Sequence, residues 1–340
     1  MTHPFPFPVL DLRELDGGED AAARFRAALL RATHEVGFFY LVGTGVNPDL
    51  EARLLTAARA FFALPDKDKL EIENVKSPHF RGYTRIGGER TEGKVDWREQ
   101  IDIWSEDEAL SPTQLEGLPP YFRMLGPNLW PSALPELKGV ILEWQAAVVP
   151  AAHKLLRAWA EALGAPADYF DKHFTRPSTR MKVVRYPGLP PDVDNLGVGA
   201  HKDGGCLTLL WVEPGAKGLQ IRPGEEWIDA LPLEHGFVCN IGEMVERATA
   251  GYLKATVHRV IAPTAPNERI SVPMFFNPSL DARFPKLELP EELKEEGAYE
   301  QDPNDVIHEV YGDNLLKSRL RAHPDVAAIH HPDLVKSGMY

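Results

Sequence analysis

The sequence predicts a mainly β fold with flanking helices, its core a sandwich or barrel of short strands. Three observations predict it. Between Met181 and Phe276, seven β-rich runs follow one another in under 100 residues, separated by Gly, Pro and Asn turns. The stretches before and after them carry apolar residues at helical spacing. The chain of 340 residues holds 30 prolines, well above the average usage of about 5%, so long uninterrupted helices are few.

The elements follow in order. Val9 to Leu12 reads as a short strand. Asp20 to Val36 reads as a helix on Phe25, Leu29 and Ala32, and Phe38 to Val42 as a buried strand. Pro48 to Leu64 is a second helix (Leu50, Leu54, Ala57, Phe61), stopped by Pro65. Residues 71–135 are irregular, with one possible strand at Glu99 to Trp104. Pro135 to Leu163 is a long helix on Leu137, Ile141, Trp144 and Val148, with Pro150 as a kink and Gly164 as its cap. The strand runs are Met181–Tyr186, Cys206–Val212, Leu219–Arg222, Trp227–Ala230, Gly236–Ile241, Thr256–Ile261 and Arg269–Phe276. An acidic tail from Glu291 to Leu320 is expected to be helical, and His330 and His331 beyond it to be solvated.

Composition narrows the partners. The net charge of −13 repels phosphate backbones and anionic lipid, so neither nucleic acid nor membrane is an expected partner. No stretch approaches the ~20 apolar residues of a membrane span, and Met1 to Pro8 lacks a signal-peptide pattern. Cys206 and Cys239 sit in apolar strand runs and are expected as buried free thiols, which fits a reducing cytoplasm. The expected partner is a small molecule, and the expected state a monomer.

Of twelve histidines, His34, His79, His153, His173 and His308 stand alone and read as packing residues. His-x-Asp occurs three times, at His201, His323 and His331, and Arg-x-Ser twice, at Arg176 and Arg269. Context separates them. Only His201-x-Asp203 enters a strand run and is followed by a histidine within another strand, His258. Only Arg269-x-Ser271 lies downstream of that histidine on a strand. In an extended chain, residues i and i+2 point to one side. His201 and Asp203 can thus present two ligands in one direction, with His258 as the third. Two imidazoles and a carboxylate on one face of a metal form the facial triad of non-haem Fe(II) oxygenases, which leaves positions open. Arg269 and Ser271 share a face by the same rule, and a guanidinium beside a hydroxyl is a receptor for a buried carboxylate. The competing reading of Arg269 is an internal ion pair.

These stretches carry a resemblance. Met181–Pro187, His201-Lys-Asp203, Asn240-Ile-Gly-Glu-Met244, Ala248–Val260 and Arg269-Ile-Ser271 resemble the isopenicillin N synthase-like iron- and 2-oxoglutarate-dependent dioxygenases. So do Gly37–Gly45, Phe61–Pro65, Arg81-Gly-Tyr83 and Asp96–Gln100 in the first third. The resemblance implies a double-stranded β-helix (jelly roll) core with an α/β N-terminal region and a C-terminal helix. The expected division is 1–135 as N-terminal dioxygenase region, 136–175 as helical spacer, 176–285 as the jelly-roll core and 286–340 as helical tail.

The resemblance also implies roles. His201, Asp203 and His258 match the iron ligands, and Arg269, Ser271 and Tyr186 match the group that holds the distal carboxylate of 2-oxoglutarate. The implied cofactors are Fe(II), 2-oxoglutarate and O₂. The implied activity is oxidation of an unactivated C–H bond, with hydroxylation the leading outcome, coupled to release of succinate and CO₂. Candidates for contacting the substrate are Arg81, Tyr83, Arg85, Trp97, Gln100, Ile103, Arg185 and Tyr311. The three arginines favour a carboxylate-bearing metabolite, and the bacterial flavour of the sequence a specialised-metabolite or amino-acid-derived substrate. Two departures stand out. Val184 replaces a common Asn, and Glu243 replaces the usual Asp after Asn-Ile-Gly, expected as a structural change only. Two other readings remain open: an iron-dependent oxidase or oxidative cyclase that dispenses with 2-oxoglutarate, and a catalytically inactive metal- or small-molecule-binding module.

Overall fold

The computed structural model describes residues 6–338, apart from 192, 194, 195, 295–298, 300 and 304. β1 (Val9–Asp11), α1 (Glu19–Glu35), β2 (Phe38–Val42), α2 (Pro48–Phe62) and α3 (Asp66–Lys69) open the chain. β3 (Gly82–Thr84), β4 (Arg90–Thr91), β5 (Lys94–Val95), β6 (Glu99–Ile103) and α4 (Pro112–Leu115) precede the long α5 (Glu136–Ala162). The strand-rich part runs through β7 (Ser178–Tyr186), β8 (Leu196–His201), β9 (Leu207–Val212), β10 (Leu219–Arg222), β11 (Ile228–Asp229) and β12 (Phe237–Ile241). Then come α6 (Glu243–Ala248), β13 (Val257–Ile261) and β14 (Arg269–Asn277), and the chain ends in α7 (Tyr311–Ala322), α8 (Pro324–His330) and α9 (Pro332–Ser337).

The strands form two main sheets. One has the order β1-β2-β12-β9-β14-β7-β6-β3, the other β11-β10-β13-β8. Apart from the parallel β1–β2 pair, their ladders are antiparallel. This is the jelly roll, with helices packed on the outside.

Strand alternation divides the apolar residues between two cores. On β2 and β7, Phe39, Leu41, Met181 and Val183 join a core that includes Trp144, Val148 and Trp159 of α5. Their neighbours Phe38, Tyr40, Val184 and Tyr186 join a second core with Val198, Ile221 and Val260 of the smaller sheet. The larger sheet is therefore buried on both faces. α5 covers its outer face along one stripe, where Trp144 meets Trp211 edge-on at 5.8 Å between centroids. The helix runs unbroken through Pro150.

Two glycines make close approaches possible. Gly37 has φ of +77°, and a Cβ there would lie 2.0 Å from the Lys254 carbonyl oxygen. A Cβ on Gly197 of β8 would lie 2.7 Å from the Tyr186 ring.

The structure departs from the sequence reading in several places: β3, β4, β5 and α4 lie in the stretch read as irregular but for one strand, α8 and α9 follow the expected tail, and three further departures bear on packing. β8 is a strand that the seven β-rich runs do not contain. Its sequence, Leu-Gly-Val-Gly-Ala-His, has two glycines and little strand propensity, and it is held by pairing with β13. Of the helix expected from Glu291 to Leu320, Glu291–Leu293 form a short 3-10 turn and α7 begins at Tyr311, while positions 295–298, 300 and 304 lie outside the described residues. Side chains of α7 hold the residues just ahead of it: the Asn314 amide nitrogen donates to His308 O at 2.9 Å, and Lys317 Nζ donates to Val306 O at 2.7 Å. His331 is not solvated, and His330 is only partly exposed. His331 is buried, stacks on Phe80 and reaches the Pro78 carbonyl at 2.8 Å, and His330 reaches the Val75 carbonyl at 2.7 Å. Cys206 and Cys239 are buried free thiols, as expected.

Trp144→Ala removes the side chain that joins α5 to the larger sheet. We expect it to lower unfolding free energy by about 3–5 kcal/mol, read from the midpoint of a urea titration. A loss below about 1 kcal/mol would show that the contact does not anchor the helix.

Candidate active site

The site is built by register. β8 and β13 pair so that His201 lies directly opposite His258, and cross-strand partners point to the same face. Their rings come to 4.3 Å between centroids. Asp203 follows β8 by two residues, and its Oδ1 lies 3.7 Å from His201 Nε2 and 3.8 Å from His258 Nε2. The three ligand atoms lie within 4.8 Å of one another.

The atoms left over are committed elsewhere. His201 Nδ1 lies 2.8 Å from the Gly199 carbonyl, and His258 Nδ1 lies 3.0 Å from that of Thr256. Each Nδ1 then carries the proton, and each Nε2 keeps its lone pair for a metal. Asp203 Oδ2 accepts from Thr208 Oγ1 at 2.6 Å and from Asn240 Nδ2 at 2.8 Å, which leaves Oδ1 free. Burial pushes His201 down to about 4, and the nearby His258 adds to this. For Asp203, burial opposes ionisation, but His258, His201 and the two hydrogen bonds outweigh it and hold its pKa below the usual value. Neutral imidazoles and an ionised carboxylate are the forms that bind a metal. The donor set fits a divalent iron with one side left open.

That side faces a cavity of about 520 Å³ lined by His201 and Asp203. The inner face of the larger sheet supplies more of its wall. Arg180 and Lys182 of β7 alternate with Met181 and Val183, which point to the outer core. Phe275 of β14 lies opposite Arg180 in register. Arg98, Glu89 and Arg319 complete this part of the wall.

Arg269 is opposite Tyr186, on the same inner face. It is buried, its Cζ lies 4.8 Å from the Tyr186 ring centroid, and its Nη1 donates to Ser271 Oγ at 2.9 Å. Its Nε and Nη2 are buried with no hydrogen-bond partner. The internal ion pair is not formed: Glu213, whose charge reaches Arg269, is held at 2.6 Å by Arg59 and at 2.6 Å by the Ile270 amide. A buried guanidinium with two free nitrogens fits the distal carboxylate of 2-oxoglutarate.

The substrate candidates are dispersed. Arg185 falls on the outer face of β7 by alternation and pairs with Glu99 at 2.7 Å and Glu268 at 2.8 Å. Tyr83 donates to Glu99 as well, at 2.5 Å, and Ile103 lies in the outer core. Arg81 is buried over Trp104, with Cζ 4.1 Å from the ring centroid. Arg85 pairs with Glu73, and Trp97 is exposed. None of these six lines the cavity. Gln100 is on the inner face, where it donates to Asp102 at 2.6 Å. Tyr311 lines a small neighbouring cavity together with Arg180 and Asp203.

Sequence reasoning did not single out Arg98, Glu89, Lys182, Arg319 or Arg180. Glu89 is their hub. Lys182 Nζ reaches it at 2.6 Å, Arg98 at 2.7 Å, Arg319 at 3.5 Å and His323 at 3.4 Å. Burial opposes its charge, yet Lys182 and Arg98 hold its pKa well below the carboxylate range. The available signal was parity: Arg180 and Lys182 share a face with Val184 and Tyr186. Glu243, first residue of α6, also lines the cavity, and burial pushes its pKa up to about 7.

Comparisons with known proteins agree with this geometry. Residues 7–133 match the family model described as non-haem dioxygenase in morphine synthesis N-terminal, and residues 178–278 match the 2OG-Fe(II) oxygenase superfamily. A Dothideomycetidae protein, 2-oxoglutarate-dependent dioxygenase frbJ, is 34% identical over 94% of this chain and 90% of its own. The Arabidopsis thaliana homoarginine-6-hydroxylase 2-ODD-C23.1 is 34% identical over 83% of this chain and 87% of its own. Among solved structures, a full-length Neurospora crassa protein in complex with alpha-KG superposes with a TM-score of 0.75 at 25% identity, over 94% of this chain and 97% of that one.

The Asn240 and Thr208 hydrogen bonds orient Asp203, so their loss should show in metal binding. Asn240→Ala is expected to weaken Co(II) affinity about 10- to 100-fold, and His258→Ala to remove specific binding, by calorimetry on the metal-free protein. Wild-type affinity in Asn240→Ala would show that Asp203 is positioned without it.

Proposed function

The chain belongs to the Fe(II)- and 2-oxoglutarate-dependent dioxygenases, and we propose that it hydroxylates a C–H bond of a small specialised metabolite held in the 520 Å³ cavity. The observation that carries this is the pairing of an open-sided His201–Asp203–His258 triad with Arg269, whose free nitrogens await an anion. The homoarginine-6-hydroxylases among its relatives support an amino-acid-like substrate. A cytoplasmic monomer is part of the same proposal. Its cytoplasmic part is supported by the two buried free thiols.

Bound Fe(II) supplies the coupling of O₂ reduction and 2-oxoglutarate decarboxylation to C–H oxidation. The protein supplies placement. His201, Asp203 and His258 would hold the metal by one face. Arg269 and Ser271 would take the distal carboxylate of 2-oxoglutarate, with Tyr186 stacked on the guanidinium. Arg98, which also engages Tyr186, would fix the tyrosine from the cavity side. The apolar inner core of Phe38, Val198 and Val260 excludes water from behind the site. Thr208 and Asn240 would keep Asp203 ionised and aligned.

Purified protein with Fe(II), ascorbate and 2-oxoglutarate should release succinate, and release should rise when the right substrate is present. Arg269→Ala should raise the KM for 2-oxoglutarate on the order of 100-fold and lower kcat far less at saturating cosubstrate. Product formed without succinate would overturn the 2-oxoglutarate reading in favour of an oxidase.

A further inference from the structure

The charges around the cavity nearly all cancel in pairs. Lys182 and Arg98 share Glu89, Lys202 pairs with Glu246 at 2.9 Å, and Lys317 and Arg321 share Asp305 at 2.6 and 2.9 Å. Among the described residues, two charged side chains with substantial burial stay outside this pairing.

The first is Arg180. Its Nε and Nη1 are buried with no hydrogen-bond partner, and among the described residues no carboxylate lies within ion-pair distance. Its guanidinium stacks on Phe275, with Cζ 4.0 Å from the ring centroid. A cation–π contact recovers part of the cost of burying that charge, but it satisfies none of the N–H donors. The second is Glu243. It lines the same cavity, and its Oε2 lies beside Gly204, the residue after Asp203. Among the described residues its carboxylate has no hydrogen bond or ion pair. Its backbone N–H donates to the Asp203 carbonyl at 2.8 Å, which fixes the residue next to the metal ligands. The departure from Asp to Glu therefore extends a carboxylate toward the cavity.

An unpaired guanidinium and an unpaired carboxylate in one cavity ask for a ligand of the opposite pattern. Resting on the reading above, we propose that Arg180 and Glu243 form a two-charge receptor that selects a dipolar substrate, with a carboxylate on Arg180 and a basic nitrogen on Glu243. Arg180 and Glu243 sit on different elements, β7 and α6, so the receptor fixes the orientation of the substrate as well as its charge. A planar guanidinium accepts a carboxylate in bidentate fashion, and Phe275 holds it flat for that purpose.

The test is calorimetry on the full chain loaded anaerobically with Fe(II) and 2-oxoglutarate. The probes are L-homoarginine and L-lysine, their decarboxylated amines homoagmatine and cadaverine, and hexanoate as the anion alone. At least one amino acid should bind wild type 10-fold or more tighter than its amine and than hexanoate. Arg180→Met should bring that amino acid to the affinity of its amine, and change the amine's affinity less than 2-fold. Glu243→Gln should bring it to the level of hexanoate. Because Arg180→Met removes an unpaired buried charge, its melting temperature without substrate should equal or exceed that of wild type. A lower melting temperature would mark Arg180 as structural and overturn the proposal. So would amino acids that bind no tighter than the singly charged probes, or an Arg180→Met variant that weakens amino acid and amine alike. Succinate release by wild type separates the two levels: its absence defeats the family activity, whereas its presence with a failed panel defeats the receptor alone.

Discussion

The His201–His258 cross-strand register is the constraint on which the rest of the site depends. A slip of one residue between β8 and β13 would turn one imidazole to the opposite face of the sheet. The register is fixed on both sides. β13 also pairs with β10, where Ile221 lies opposite His258 in the inner core. On the other side Phe38 meets the His258 ring edge-on at 5.2 Å. Gly197 lets β8 pass close to Tyr186, so the strand that carries a metal ligand is seated against the residue that stacks on Arg269. Metal site and anion receptor are thus positioned by one packed core.

Alternation explains what the sequence revealed and what it hid. His201-x-Asp203, His258 and Arg269-x-Ser271 were legible because each pair obeys the two-residue period and sits at a strand. The helices α1, α2 and α5 were legible from their apolar stripes, within one or two residues at each end. β8 was hidden because its stability comes from partners rather than from its own glycine-rich residues. Arg185 shows the limit most clearly. It stands one residue from Tyr186, and that single step puts it on the outer face with Glu99 and Glu268. Arg180 lies six residues from Tyr186, an even number, and so faces the cavity. The motif named the neighbourhood, and parity decided which arginine belongs to the site.

The residues around the open side come from three distant parts of the chain. Glu89 and Arg98 belong to the irregular front segment, Lys182 to β7, and Arg319 to α7. Their joining at Glu89 could not be read from spacing, since Arg319 lies 230 positions away from it. Energetically this hub is all-or-none. Each charge is tolerated only while the others are in place, and removal of one partner from such a buried set is typically destabilising by about 3–5 kcal/mol. The front hairpin and the C-terminal helix are thereby fastened to the jelly roll at the edge of its cavity. They act as walls of the site rather than as separate units.

This arrangement also reconciles an acidic protein with a site built to receive anions. The net charge of −13 describes the whole chain, and a uniform negative field would discourage 2-oxoglutarate. Inside, the local balance is different. Arg269 is enclosed by Tyr186, Ser271 and apolar side chains, where a carboxylate meets little competing water and the attraction is correspondingly strong. Around the open cavity, by contrast, most cations are already neutralised by their neighbours. A substrate there is not drawn by a broad positive field, so discrimination falls to the few groups whose partners are missing. Specificity in this molecule is set by unpaired charges at fixed positions, and the paired ones hold those positions still.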